Sequence, residues 1–301
     1  MKHIDPIYND VNICLACNDK YAEPLCTMLY SLLKNSDMTR SYDILIMQSN
    51  ISEENKRRLM RFAGENVSVR LIDASDFHGR VEGYGRNYIS AETNYRLYLL
   101  SEAFSQYDRM LYLDCDMQVC DDICRLYDTD LEKMAVGACE AASMRALSIA
   151  KKAVFFDGMP CNVDHYRKEC LGLSAPERYF NAGMLLLDLK LCRAIADEKR
   201  ALEVLSAHSM QYNDQDCLNI LFGGKVRLLD IRWNYSVAIP HALVCGNGQI
   251  TKAYADLARE TYGIVHYIGS HKPWDYDVPL GEIYRQNNEK MTSEVFGDDS
   301  I

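Results

Sequence analysis

The sequence has no feature that would mark it as a membrane-spanning, repetitive or nucleic-acid-coating protein. It has no run of about 18 apolar residues, so no helix is predicted to cross a bilayer. No repeat and no linker rich in proline, glycine or serine interrupts its 301 residues, and we therefore expect one domain over residues 1–301. Basic residues number only 33 against 43 acidic ones, a net charge of −10. Because coating a polyphosphate backbone requires clustered lysine and arginine, this balance argues against a nucleic-acid partner but leaves a small phosphate ligand open.

The residue type present in unusual number is cysteine, with twelve copies. Most of them lie inside apolar runs, and no apolar segment typical of a secretory signal follows Met1. We therefore predict free cysteines that act as small core residues, and a cytoplasmic location. Cys14 and Cys17 look like half of a zinc site, but no second pair follows at a similar spacing. If they lie on a strand they point to opposite faces, which favours packing over metal binding.

Short apolar runs alternate with amphipathic stretches in a chain with 48% hydrophobic and 25% charged residues. The runs predict strands at residues 11–17, 42–47, 67–72, 110–113, 136–139, 183–189, 226–231 and 264–267. The amphipathic stretches predict helices at residues 22–35, from Ser52 onward, 92–103, 190–208 and 214–222. This alternation predicts an α/β fold with a mostly parallel central sheet flanked by helices. The less regular residues, about 141–178, are predicted to form a helical elaboration, and residues 275–301 a short C-terminal tail.

The sharpest local signal is the sequence Asp114-Cys115-Asp116 at the end of a predicted strand. Ligands of α/β proteins bind at the carboxyl ends of strands, and two carboxylates so close together repel unless a cation lies between them. A divalent ion that also holds phosphate oxygens would supply that charge. A solvated acidic turn explains the triplet about equally well, and only the buried strand before it favours the metal site.

Two further segments carry side chains suited to such a site. His266 is followed by Gly269, which lets a backbone approach a ligand closely, and by Lys272, whose ammonium suits a phosphate. A histidine beside two carboxylates favours manganese over magnesium or calcium, although a histidine on a short strand is more often a core residue. Asp214 and Gln215 open a predicted helix, where they either bind sugar hydroxyls or complement the helix dipole.

Taken in order along the chain, these pieces resemble the family 8 retaining glycosyltransferases, a group that includes bacterial lipooligosaccharide galactosyltransferases and glycogenin. The resemblance extends from Asn12 to Trp274. Its matching stretches are residues 12–21, 51–55, 95–97, 111–116, 179–183, 213–216, 233–235 and 266–274. The resemblance implies a Rossmann-like fold of the GT-A type, a UDP-sugar as the sugar donor, and a Mn²⁺ ion, with Mg²⁺ as a second candidate.

The same resemblance implies roles for individual residues. The implied metal ligands are Asp114, Asp116 and His266. The residues implied to bind the nucleotide and its phosphates are Ala16, Asn18, Lys20, Cys115, Gly269 and Lys272. The residues implied to act at the sugar are Arg96, Asn181, Asp214 and Gln215. Asn18 stands where relatives often carry aspartate, and Glu140 is the candidate for a carboxylate that usually follows the strand at 136–139.

We therefore predict a metal-dependent retaining enzyme that moves glucose or galactose from UDP to a hydroxyl group of a saccharide or glycan. Gln215 is an amide and a poor nucleophile, which favours substitution on one face of the sugar over a covalent intermediate. The alternatives are a nucleotidyltransferase or sugar-nucleotide hydrolase, and a non-catalytic relative that binds sugar nucleotides. The former would need a glycine-rich phosphate loop, which Asn18-Asp19-Lys20 is not. The acidic residues 291–301 lower the expectation of a lipid-linked acceptor, and contact with a membrane surface stays open.

Overall fold

The computed structural model describes residues 3–84, 90–237 and 261–297, and the statements below concern those residues. The strands found there are β1 (Val11–Ala16), β2 (Tyr42–Gln48), β3 (Val67–Asp73), β4 (Arg109–Leu113), β5 (Met117–Val119), β6 (Val136–Glu140), β7 (Val154–Phe156), β8 (Met159–Cys161), β9 (Phe180–Asp188), β10 (Val226–Leu228), β11 (Tyr235–Ser236) and β12 (Ile264–His266). The helices are α1 (Ala22–Asn35), α2 (Glu53–Met60), α3 (Ser75–Val81), α4 (Ile123–Tyr127), α5 (Ala142–Ile149), α6 (Val163–His165), α7 (Leu189–Ile195), α8 (Glu198–Ala207), α9 (Asn213–Phe222) and α10 (Gly281–Met291).

A seven-stranded sheet with the order β10-β6-β9-β4-β1-β2-β3 forms the centre of the molecule. Strands β1 to β4 pair in parallel, and so do β6 and β10. Strand β9 runs antiparallel to both β4 and β6. The predicted mostly parallel α/β sheet is thereby confirmed. Because of its reversed direction, β9 brings its first residues to the edge at which β1 and β4 end.

Alternating side chains of the strands enter two separate buried clusters. Cys14 on β1 belongs to one cluster and Cys17, which directly follows β1, to the other, as expected for residues three apart on an extended chain. The two thiols therefore form no common zinc site. All the cysteines in the described residues are free, and Cys245 lies outside the described residues.

The first two helices follow from local sequence signals. Helix α1 has the predicted bounds, and its Leu25, Met28 and Leu29 are fully buried. Helix α2 begins after Ser52, whose hydroxyl accepts a hydrogen bond from the amide of Asn55 at 3.3 Å. Such a cap stabilises a helix by roughly 1 kcal/mol. These helices show that the regular first part of the chain is encoded locally.

Two predicted helices differ from the structure. Residues 92–103 were expected to form an α-helix, but Ala91–Leu100 is a 3-10 helix that buries Tyr95 and Arg96 among other residues. Packing on several sides overrides helix propensity there. The expected helix at 190–208 is two helices, because the carboxylate of Asp197 accepts from the amide of Arg200 at 2.8 Å and caps α8 as a new helix.

A β-hairpin lies in the segment that was predicted to be helical. Strands β7 and β8 pair antiparallel between α5 and α6. They are joined by Asp157 and Gly158, with φ of 48° and 79°. Two-residue hairpin turns with two positive φ angles favour Asp-Gly. The predicted helical elaboration therefore contains a hairpin beside its helices, and the Asp-Gly pair is the signal that would have revealed it.

The predicted strand at 226–231 is shorter in the structure. Strand β10 ends at Leu228, and the carboxylate of Asp230 accepts from the amide of Arg232 at 2.9 Å, which starts the 3-10 turn Ile231–Asn234. The chain then enters β11, in a small sheet with the order β11-β12-β5. This turn and this sheet bring Asn234 to the end of β12, where His266 lies.

A C-terminal helix replaces part of the predicted tail. Helix α10 lies against α1, and the hydroxyl of Thr27 donates to Asn288 Oδ1 at 2.8 Å. The sequence prediction stopped short of this helix, and the acidic residues 298–301 lie outside the described residues. None of the helices in the described ranges is both long enough and apolar enough to cross a bilayer.

Candidate active site

A cleft of about 1040 Å³, open to solvent, lies where β1 and β4 end and β9 begins. Twelve of the thirteen residues assigned from the sequence line it, namely Ala16, Asn18, Arg96, Asp114, Cys115, Asp116, Asn181, Asp214, Gln215, His266, Gly269 and Lys272. Lys20 is exposed and does not line the cleft. The Glu140 carboxylate pairs with Arg145 at 2.5 Å and lines a different cavity. The residues most separated in sequence are thus brought to one edge of the sheet.

The first feature of the cleft is a cluster of two carboxylates and an imidazole. Nε2 of His266 lies 3.1 Å from Asp116 Oδ1 and 3.9 Å from Asp114 Oδ2. One possible ligand atom from each of the three residues lies within 4.8 Å of the others. Gly183 closes one side, since a Cβ there would lie 2.8 Å from Asp114 Oδ2 and closer still to the His266 ring. The cluster therefore has ligand atoms at the spacing of a metal site and a backbone that leaves room for them.

The two carboxylates of this cluster differ in their electrostatics. Burial raises the pKa of Asp114, although the neighbouring Arg96 opposes that effect. Burial also acts to raise the pKa of Asp116, but the charges of Lys272 and His266 outweigh it and lower the pKa. Asp116 is thus held as an anion. Its negative charge is balanced by the side chains of Lys272 and His266, and a cation bound beside Asp116 would also be attracted to it.

Arg96 connects the carboxylate cluster to the start of α9. Its buried guanidinium lies 2.7 Å from Asp114 Oδ1 and 3.0 Å from Asp214 Oδ2, and it also donates to the carbonyl oxygen of Ala182. Burial alone would lower the pKa of Arg96, whereas Asp114 and Asp214 raise it. Arg96 therefore stays charged and fixes the position of both carboxylates.

Lys272 is the cation on the other side of the cluster. Its ammonium donates to the Asp116 carboxylate and, at 2.8 Å, to the carbonyl oxygen of Tyr267. Burial opposes the charge, but Asp116 raises the pKa of Lys272. Gly269 has a φ of 101°, which side chains other than glycine rarely adopt. The segment after β12 thus carries a fixed positive charge and a backbone shape that depends on glycine.

The opposite wall of the cleft consists of neutral amides. Oε1 of Gln215 accepts from Asn181 Nδ2 at 2.9 Å and from the amide of Ala182 at 3.2 Å. Its Nε2 donates to the hydroxyl of Tyr179 at 3.0 Å. Burial raises the pKa of the neighbouring Asp214 to about 6. Every polar atom of the Gln215 carboxamide is therefore engaged, and its orientation is fixed.

Asp216 lies behind this wall, outside the cleft. Its carboxylate accepts from the hydroxyls of Tyr166 at 2.5 Å and Tyr179 at 2.6 Å, and from the amide of Tyr212 at 2.8 Å. Burial raises the pKa of Asp216 to about 6 in spite of these hydrogen bonds. Since the proton of the Tyr179 hydroxyl is directed to Asp216, its oxygen is available to accept from Gln215.

Several residues of the cleft were not predicted from the sequence. Glu92 lines it and accepts from Asn18 Nδ2 at 3.3 Å, while Asn18 Oδ1 accepts from the amide of Tyr21 at 3.2 Å. Tyr21 also lines the cleft, and its ring meets Trp274 edge-on at 5.7 Å. Asn234 contacts two residues of the site, although only its place in a matching stretch pointed to it. No periodicity in the sequence could have found these side chains.

Comparison with known proteins places this arrangement among glycosyltransferases. The family model "Glycosyl transferase family 8" matches residues 12–278. General stress protein A of Bacillus subtilis (strain 168) is 26% identical over 274 residues, which cover 88% of this chain and 87% of that protein.

Solved structures give the same result. The galactosyltransferase LgtC, in complex with donor and acceptor sugar analogs, superposes with a TM-score of 0.72 at 28% identity, covering 94% of this chain and 96% of that one. The apo structure of the WbbM bifunctional glycosyltransferase has a TM-score of 0.87 at 24% identity and covers 99% of this chain. This chain spans 53% of the WbbM chain, and at that identity the likeness concerns the fold alone.

Proposed function

This chain belongs to glycosyl transferase family 8, and from that membership and the geometry of the cleft we propose that it transfers a hexose from UDP-glucose or UDP-galactose to a hydroxyl group of a saccharide, with retention at the sugar carbon. Mn²⁺ is the proposed metal, with Mg²⁺ as the second candidate. The observation that carries the proposal is the meeting of Asp114, Asp116 and His266 with Lys272 in one cleft at the ends of the central strands.

The three clustered side chains fit a divalent ion. Two carboxylates and one imidazole offer hard oxygen ligands and one borderline nitrogen, a mixture that suits Mn²⁺ better than Ca²⁺ or Mg²⁺. Asp114, Asp116 and His266 would hold the ion, and the small size of Gly183 leaves room beside them. When bound, the ion supplies Lewis-acid stabilisation to a diphosphate leaving group.

Lys272 and the segment around it would stabilise the departing UDP. Negative charge develops on the diphosphate as the bond to the sugar breaks, and a fixed cation beside it lowers the barrier. The carbonyl oxygen of Tyr267 holds the Lys272 ammonium at the edge of the cleft. At Gly269 the absence of a side chain lets the backbone approach the phosphates.

The wall formed by Gln215 favours substitution on a single face of the sugar. Both donors to its Oε1, from Asn181 and Ala182, occupy the atom that would have to attack the sugar carbon in a covalent mechanism. Asp214 is likewise paired with Arg96. We propose that Gln215 stabilises the positive charge of an oxocarbenium-like centre while the acceptor hydroxyl enters from the side of the leaving group. A trapped adduct between the sugar and any side chain would contradict this mechanism.

The test is metal-dependent release of UDP from UDP-glucose and UDP-galactose, with and without saccharide acceptors. We expect release with Mn²⁺, loss of release with EDTA and recovery when Mn²⁺ is added in excess. An acceptor should raise the rate, which separates transfer from the alternative of sugar-nucleotide hydrolysis. Absence of metal-dependent release from both sugar nucleotides would contradict the proposal and favour a non-catalytic relative.

A further inference from the structure

Three side-chain amides form a row that begins beside His266 and ends at Gln215. Nδ1 of His266 lies 2.7 Å from Asn234 Oδ1. Asn234 Nδ2 donates to Asn181 Oδ1 at 2.8 Å, and Asn181 Nδ2 donates to Gln215 Oε1 at 2.9 Å. We call Asn234, Asn181 and Gln215 the amide row. It links the carboxylate cluster to the wall that faces the sugar.

Two backbone amides of β9 fix the direction of the amide row. The amide of Gly183 donates to Asn181 Oδ1 at 2.9 Å, and the amide of Ala182 donates to Gln215 Oε1 at 3.2 Å. Since a backbone N–H can only donate, both of these side-chain atoms must be oxygens. Asn234 must then donate to Asn181, which leaves its own oxygen facing His266.

This direction determines which nitrogen of His266 carries the proton. Because Asn234 presents an oxygen, Nδ1 of His266 is the donor in their hydrogen bond. Nδ1 therefore keeps its proton, and Nε2, which faces Asp114 and Asp116, is the nitrogen whose electron pair a bound ion would take. A histidine that binds a metal needs this arrangement, with its other nitrogen donating to a fixed oxygen.

We propose that Asn234 is a positioning residue that serves both halves of the site. Its oxygen keeps Nε2 of His266 available for the ion, and its amino group holds Asn181, which orients Gln215. Asn234 is only 3% exposed and lies in a turn that the Asp230 carboxylate caps, so its side chain is kept in place by packing. The inference rests on the proposed metal site and assigns a role to a residue outside the ligand set.

Two substitutions at this position separate the two roles. Asn234→Ala removes both contacts, and we expect Mn²⁺ affinity and kcat each to fall by roughly 10- to 100-fold. Asn234→Asp keeps an oxygen for His266 but can no longer donate to Asn181. We expect Asn234→Asp to recover most of the Mn²⁺ affinity while kcat stays roughly 10-fold below the unchanged protein.

Mn²⁺ affinity is measured on the full chain by calorimetry without sugar nucleotide, and kcat and KM by UDP release. Asn12→Ala is the matched control, because Asn12 is a buried asparagine at the opposite end of β1, and it should leave Mn²⁺ affinity unchanged. Unchanged affinity in Asn234→Ala, or equal loss in both Asn234 variants, would overturn the inference. If Asn234→Ala does not fold, Asn234→Asp alone tests the inference, because it should keep most of the Mn²⁺ affinity while its kcat falls. Failure of the unchanged protein to bind Mn²⁺ would instead contradict the proposed function, and with it this inference.

Discussion

The two walls of the cleft are built from different chemistry. On one wall, Asp114, Asp116, His266 and Lys272 are charged or chargeable and contact each other directly. On the other wall, the amide row is neutral and is fixed by backbone N–H groups of β9. The contacts of the charged wall can change when ligands bind. Its carboxylates now pair with side chains, whereas in the proposed complex they would contact an ion, and Lys272 would contact a diphosphate. The neutral wall is arranged before any ligand binds.

The two walls therefore suit different parts of the proposed substrate. A net charge of −10 is unfavourable for a diphosphate ligand, but a bound cation with Lys272 would reverse the sign locally. The neutral wall adds no charge and offers oriented hydrogen-bonding groups instead, which suit a sugar. We therefore expect changes on the charged wall to abolish activity, and changes behind the neutral wall to act on orientation and stability.

The largest effect is expected from removing one charge of the charged wall. Asp116→Asn keeps the shape of the side chain but removes an anionic ligand, and we expect UDP release to fall by roughly 10²- to 10³-fold. Asp76→Asn changes an exposed aspartate in the first turn of α3 and serves as the control. Circular dichroism should show both variants folded. If Asp116→Asn released UDP at a rate near that of the control, the claim that activity depends on the charges of this wall would be wrong.

A smaller effect, on stability, is expected from Asp216 behind the neutral wall. Burial raises its pKa from 3.8 to about 6. The folded state therefore binds the proton more tightly than the unfolded state, so stability is favoured below pH 4 and is lost as the pH rises through 6. This rise in the pKa of Asp216 corresponds to about 3 kcal/mol of stability. The free energy of unfolding of the unchanged protein should fall by this amount, relative to Asp216→Asn, between pH 4 and pH 7.

Urea unfolding of both proteins at several pH values measures this difference. The absolute stability of Asp216→Asn is expected to be lower, because an asparagine offers only one accepting oxygen to three donors. The titration of Asp216 is therefore measured by how the difference in free energy of unfolding between the two proteins changes with pH. If the free energies of unfolding of the two proteins changed with pH in parallel, Asp216 would not titrate with a raised pKa in the folded protein.

The charged wall could be predicted from the sequence far better than the neutral one. Asp114 and Asp116 follow an apolar strand, and such strand ends form ligand sites in α/β folds, so a short local pattern drew attention to them, although it fitted a solvated acidic turn about equally well. The amide row depends instead on the reversed direction of β9 and on the 3-10 turn Ile231–Asn234, which begins where the predicted strand was expected to end. Both features arise from tertiary packing, which no local pattern of apolar residues encodes.

The smallest effect is expected at Lys20, which tests the limit of the resemblance. The resemblance implies a nucleotide contact for it, but its side chain is exposed and does not line the cleft, whereas the neighbouring Tyr21 does. Exposed residues without special contacts change free energies by at most about 0.5 kcal/mol, so Lys20→Ala should alter UDP affinity by less than about 2-fold. Tyr21→Ala removes a ring that packs edge-on against Trp274 and should weaken UDP binding more. Calorimetry with UDP and Mn²⁺ compares the two, and an equal loss in both variants would extend the nucleotide site beyond the two walls to the surface of the 3-10 turn Asp19–Tyr21.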